Sequence, residues 1–127
     1  MDDRERRTIL VIDDSPPTCL FLKRMLEQRG FHVEVAYDGE TGTRLAMEIL
    51  PDLILLDKEL PGMHGFTVSR ILRRYQRTSY IPILMISAAS ESADRIRGLE
   101  MGADDFISKD IPQAELESKI RAFMRIK

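Results

Sequence analysis

Cysteine and histidine are scarce in this 127-residue chain, with one of the first and two of the second. A lone Cys19 cannot form an internal disulfide, and its presence without a mate suits a reducing compartment. It falls on the apolar side of an expected helix and reads as a small core residue rather than a nucleophile. His32 and His64 belong to different expected elements, so the Cys/His spacing of a zinc site is missing. No apolar run approaches the ~18 residues needed to span a bilayer. The first residues, Met-Asp-Asp-Arg-Glu-Arg-Arg, lack the apolar core of a signal peptide. An excess of one charge is missing too. Nineteen basic and 21 acidic residues leave a formal charge of −2, which offers no general attraction to nucleic acid or an anionic membrane. The expectation is a cytoplasmic protein without direct nucleic-acid or membrane binding. The basic stretch Arg70, Arg73, Arg74 and Arg77 reads as a solvated helix face.

The chain is the length of one domain and long enough for a single core. Its apolar content of 43% and charged content of 31% are those of a soluble globular protein. No internal repeat, linker or low-complexity stretch interrupts it, so residues 1–127 are expected to form one domain.

Short apolar runs alternate with stretches of helical spacing. Strands are predicted at about 8–13, 32–37, 52–57, 81–87 and 104–108. Between and after them come Leu22, Met25 and Leu26; Leu45, Ala46 and Ile49; Val68, Ile71, Leu72 and Tyr75; Ile96 and Leu99; and Leu116, Ile120 and Phe123. Gly30 closes the first helix, Asp38 caps the second, and Pro82 stands at a strand start. Strict alternation of this kind implies a parallel sheet with right-handed crossovers and helices on both faces. The second strand interleaves apolar with polar residues, as an edge strand does, while strands one, three and four are apolar throughout. The fifth is short and polar at its ends. Strand order 2-1-3-4-5 follows, the flavodoxin-like α/β arrangement with five helices, whose switch point lies between strands one and three.

Reactive residues end those strands. Asp13 and Asp14 follow Ile9-Leu10-Val11-Ile12, Asp57 follows Leu53-Ile54-Leu55-Leu56, Ser87 follows Ile83-Leu84-Met85-Ile86, and Lys109 follows Phe106-Ile107-Ser108. Ligands of open parallel sheets bind beyond the carboxyl ends of the strands. Three carboxylates, a hydroxyl and an ammonium therefore converge on one pocket. Clustered carboxylates repel one another unless a cation joins them. Mg²⁺ suits such a site, because it takes oxygen ligands and binds through one or two carboxylates plus a phosphate. A carboxylate can itself be the nucleophile and form an aspartyl phosphate.

With these residues in place, the chain resembles the response-regulator receiver domains of two-component signalling, in a layout like that of the chemotaxis response regulator. The resemblance covers about residues 8–125. It rests on Ile-Leu-Val-Ile-Asp13-Asp14-Ser, Leu-Ile-Leu-Leu-Asp57-Lys-Glu-Leu-Pro61-Gly-Met-His-Gly65, Ile-Ser87-Ala88 and Gly102-Ala-Asp-Asp-Phe106-Ile-Ser-Lys109. It implies that Asp57 accepts a phosphoryl group from a sensor histidine kinase or phosphotransfer protein. Asp14, Asp57 and the backbone carbonyl of Glu59 would bind Mg²⁺, with Asp13 acting through a bound water. Lys109 and Ser87 would assist catalysis, and Ser87 with Phe106 would form the switch, Phe106 turning from exposed to buried. Such a protein is a signalling receiver rather than an enzyme with an external substrate, its catalysis confined to its own phosphorylation and dephosphorylation.

Two positions depart from the family. Asp110 replaces the usual cis proline after the lysine, and a trans bond is expected because a cis non-proline peptide costs about 2.5–4 kcal/mol. His64 replaces an Asp. The segment Arg95 to Asp105, with Glu115, Lys119 and Arg121, resembles receivers of winged-helix regulators that pair through helix 4, strand 5 and helix 5. A weak homodimer is expected, with Arg97 meeting Glu115 and Asp104 or Asp105 meeting Lys119. Other classes fit less well. A haloacid-dehalogenase-type phosphatase needs an Asp two residues after the nucleophile, where Glu59 stands, and a cap domain. A flavin carrier needs a phosphate loop where Asp13-Asp14 would repel it, and a pseudo-receiver would have lost the acids. The output domain, and whether the chain is a stand-alone receiver or a piece of a larger regulator or hybrid kinase, are left open by these residues.

Overall fold

The computed structural model describes residues 6–88 and 92–125, without the side chains of Ser92 and Arg125. Five strands, β1 (Thr8–Ile12), β2 (His32–Ala36), β3 (Leu53–Asp57), β4 (Ile83–Ser87) and β5 (Asp105–Ser108), alternate with five helices. These are α1 (Pro16–Gln28), α2 (Gly39–Ile49), α3 (Gly65–Arg74), α4 (Ser92–Glu100) and α5 (Gln113–Arg125). Every strand pair is parallel and the order is β2-β1-β3-β4-β5, as the apolar patterning predicts.

The central strands are continuous apolar runs because helices cover both faces. Strand alternation then sorts their side chains into two cores. Ile9, Val11, Leu53 and Leu55 pack with Leu22 and Leu26 of α1 and with Leu116 and Ile120 of α5. Leu10, Ile12, Ile54 and Leu56 pack with Ala46 of α2, Val68 and Leu72 of α3, and Phe106. Each fully buried Leu or Ile contributes about 1.5–3 kcal/mol relative to exposure. The edges are the strands with polar residues, β2 and β5.

Register brings the strand ends level. Ile12 pairs with Leu56, so Asp13 stands beside Asp57; Asp57 pairs with Ile86, and Ser87 pairs with Ser108, one residue before Lys109. The helix starts are capped next to these ends. Ser15 caps α1 ahead of two prolines, Asp38 caps α2 by accepting from Thr41 N at 2.7 Å, and His64 Nδ1 caps α3 by accepting from Phe66 N at 3.0 Å. Gly65 is required for α3 to start so close to β3: a Cβ there would stand 2.4 Å from the Asp57 carbonyl oxygen.

The differences from the sequence expectations are local. Pro82 has no N–H and stays outside β4, although its carbonyl accepts from Ile54 N. Asp13 stands just outside β1: its N–H still donates to the Ala36 carbonyl at 3.0 Å, while its carboxylate accepts from Ser15 N at 2.8 Å and opens the turn into α1. Arg73 is not part of a solvated face. It donates to the carbonyls of Gly102 (2.7 Å), Ser79 (2.9 Å) and Ile81 (2.6 Å), and pairs with Asp104. Arg70, Arg74 and Arg77 are exposed.

Candidate functional site

Asp57 ends β3 with only 3% of its surface exposed, and Asp13 is equally buried, while Asp14 is exposed. One carboxylate oxygen from each of these three residues lies within 4.8 Å of the others. Lys109 Nζ reaches Asp57 Oδ2 at 3.5 Å and Asp13 Oδ2 at 3.8 Å. The Glu59 N–H donates to Asp57 Oδ1 at 3.2 Å. Ser87 is buried at the end of β4, and its carbonyl accepts from Lys109 N at 2.8 Å. The predicted acids, the lysine and the serine thus share one end of the sheet.

Burial sets the electrostatics. Removal from water, with the Asp13 charge added, raises the Asp57 carboxyl from 3.8 to about 6, against the pull of the Glu59 N–H and Lys109. It is still ionised at neutral pH. The same burial and neighbouring acids push the Cys19 thiol up to about 11, and its Sγ donates to the Asp13 carbonyl at 3.2 Å. Cys19 is therefore a packed thiol beside the site. An all-oxygen cluster of three carboxylates, two of them buried against mutual repulsion, has the donor chemistry of a hard divalent cation such as Mg²⁺.

The Lys109–Asp110 peptide is trans, like every described peptide bond, and the lysine still faces both buried acids. Phe106 is fully buried, the inward of the two arrangements expected of it. The charges assigned to a dimer face find partners within the chain: Asp105 with Lys119 at 2.8 Å and Arg95 at 3.9 Å, and Asp104 with Arg73. Arg97 and Glu115 are exposed. One residue beside the site escaped the sequence reading. Lys58, next to Asp57, has a side chain only 11% exposed and bonded to Asp94 of α4 at 2.7 Å, which holds its ammonium above the usual lysine range.

The chain matches the family model described as the response regulator receiver domain over residues 9–121. It belongs to that family. Among curated proteins it is 43% identical over 117 residues to the DNA-binding dual master transcriptional regulator RpaA of Synechocystis, covering 92% of this chain and 48% of that one. Among solved structures, a protein described as a response regulator from Chloroflexus aurantiacus superposes with a TM-score of 0.90 at 30% identity, over 95% of this chain and 99% of that one. The receiver domain of sensor histidine kinase PA1611 from Pseudomonas aeruginosa, crystallised with a magnesium ion in its active-site cleft, gives 0.87 at 28% identity, over 94% and 98%. The chain spans about a quarter to a half of the length of the curated relatives it matches. Receiver domains are signalling modules of two-component systems, and the Asp13, Asp14 and Asp57 cluster fits their phosphorylation site. No helix among the described residues is long and apolar enough to cross a membrane.

Proposed function

We propose that this chain is a phospho-accepting receiver whose Asp57 takes a phosphoryl group from a phosphohistidine on a sensor kinase or phosphotransfer protein. The observation that carries the reading is Asp57 itself: a buried carboxylate, ionised at neutral pH, beside two more acids and the Lys109 ammonium. A carboxylate oxygen of Asp57 attacks phosphorus as the P–N bond to the donor imidazole breaks, and the imidazole leaves with a proton from solvent. The Lys109 ammonium and the Ser87 hydroxyl offset charge on the equatorial oxygens, which is the protein's main task in phosphoryl transfer. Mg²⁺, held by Asp14, Asp57 and the Glu59 carbonyl with Asp13 acting through water, would supply the remaining neutralisation. The donor would approach past α1, where Leu20 and Phe21 are exposed next to a groove lined by Pro17, Met25, Ile111 and Lys109.

Residues 1–127 would act as one cytoplasmic receiver unit, passing the signal to an effector domain or partner by way of Ser87 and Phe106. The net charge of −2 favours no direct contact with nucleic acid or membrane. The test is labelling by acetyl phosphate with and without Mg²⁺, on the wild type and on Asp57→Asn. Mg²⁺-dependent labelling that the substitution abolishes is expected. Undiminished labelling of the variant overturns the assignment.

A further inference from the structure

Lys58 is placed where few lysines are. Its backbone is pinned on both sides, the N–H to Ile86 O at 2.9 Å and the carbonyl to Gly65 N at 2.8 Å. Alternation sends its side chain to the opposite face from Asp57, toward the layer that holds α4. There, nearly buried, it bonds Asp94 in the first turn of α4 at 2.7 Å and lies 3.4 Å from Glu59. Four residues on, along the same helix face, Gly98 sits directly over Phe106: a Cβ at Gly98 would stand 2.6 Å from the ring. The other end of α4 is held separately, because Met101 and Gly102 give their carbonyls to Ser69 and Arg73 of α3. Among the described residues, side-chain ties of the first turn include Lys58–Asp94 and the longer Arg95–Asp105 pair at 3.9 Å.

We infer that Lys58 is a positioning residue: its ion pair with Asp94 tethers the first turn of α4 to the end of β3, keeping Gly98 down on Phe106. The tether joins the backbone bearing the phosphoacceptor to the helix covering the aromatic ring. Releasing it lets α4 lift and Phe106 turn outward beside the exposed Ile96 and Leu99. Any ligand at Asp57 that favours the buried ring must, by linkage, bind more weakly once the tether is cut. This second consequence rests on the reading of Asp57 as phosphoacceptor; the first does not.

The experiment uses the full chain with Phe106→Trp as reporter, in four backgrounds: unchanged, Lys58→Gln, Asp94→Asn, and the swapped pair Lys58→Glu with Asp94→Lys. Acrylamide quenching reads ring exposure, and titration with beryllofluoride and Mg²⁺ reads the acceptor site. Urea unfolding identifies any background that is not folded. Each single change should raise quenching and weaken beryllofluoride binding, by roughly fivefold, the lower end of measured couplings, and the swap should restore both. Quenching equal to the parent in both folded single variants overturns the tether, as does a folded swap that behaves like the singles. If the parent binds no beryllofluoride, the acceptor reading fails, while the quenching arm still decides the tether.

Discussion

Replacing Asp57 by Asn should stabilise the fold, and by an amount that depends on pH. The carboxyl is raised from 3.8 to about 6, first by burial and then by the Asp13 charge. Each tenfold change in proton affinity corresponds to about 1.4 kcal/mol, so an ionised Asp57 costs the folded state about 3 kcal/mol. The sign follows from linkage. Below about pH 4 the group is protonated both folded and unfolded, and the cost is absent. Between about 4 and 6 the folded chain holds a proton that the unfolded chain has released, so stability falls as pH rises. Above about 6 the full cost is present. A domain of this size is stable by roughly 5–15 kcal/mol, so the effect is large. Asn keeps the shape and removes the charge, and Lys109 keeps Asp13 as a neighbour at 3.8 Å. Urea unfolding of both proteins in EDTA, from pH 4 to 7.5, should show a gain of about 2–3 kcal/mol for the variant at pH 7.5 that shrinks toward zero near pH 4. Titrating groups remote from the Asp13, Asp57 and Lys109 cluster cancel in the difference. A variant less stable than the wild type at pH 7.5, or a gain that does not vary with pH, refutes the reasoning. Mg²⁺ at about 100 times its dissociation constant should return about 2.7 kcal/mol to the wild type, and far less to Asp57→Asn.

Three further outcomes are expected. Arg73→Ala, which strips donors from the Gly102, Ser79 and Ile81 carbonyls, should cost about 2–3 kcal/mol in thermal or urea unfolding, while exposed Arg70→Ala should stay within about 0.5 kcal/mol of the wild type. Gly65→Ala forces a Cβ to 2.4 Å from the Asp57 carbonyl oxygen, so acetyl phosphate labelling should fall at least about tenfold, an ångström-scale misplacement costing that much or more. Sedimentation at high micromolar concentration should show a weak dimer that beryllofluoride strengthens. Because Asp105 and Asp104 already have partners in the same chain, Arg97→Glu should weaken that dimer more than Asp104→Asn.

The fold was legible because its signals are local. Four consecutive apolar residues ending at a carboxylate or a serine do not read as a surface strand, and alternation in residues 31–37 marks an edge. From there the meeting of Asp13, Asp14, Asp57, Ser87 and Lys109 follows from parallel topology, with no knowledge of any side-chain contact. What stayed hidden are the cations whose roles depend on distant partners. Arg73 looks like its neighbours Arg70 and Arg74 until the chain places Gly102, 29 residues away, beneath it. Lys58 shows no partner in the sequence until α4 lays Asp94, 36 residues away, against it. A long cationic side chain carries no mark of its own burial; an opposing carbonyl or carboxylate decides it. Half of the answer for Lys58 was nonetheless present. Leu53, Leu55 and Asp57 alternate onto the α1 and α5 side, so Ile54, Leu56 and Lys58 must face the side of α2 to α4. A charged residue continuing a fully buried face needs a counter-ion there, since burying it alone costs several kcal/mol. The side was readable, and the identity of the partner was not.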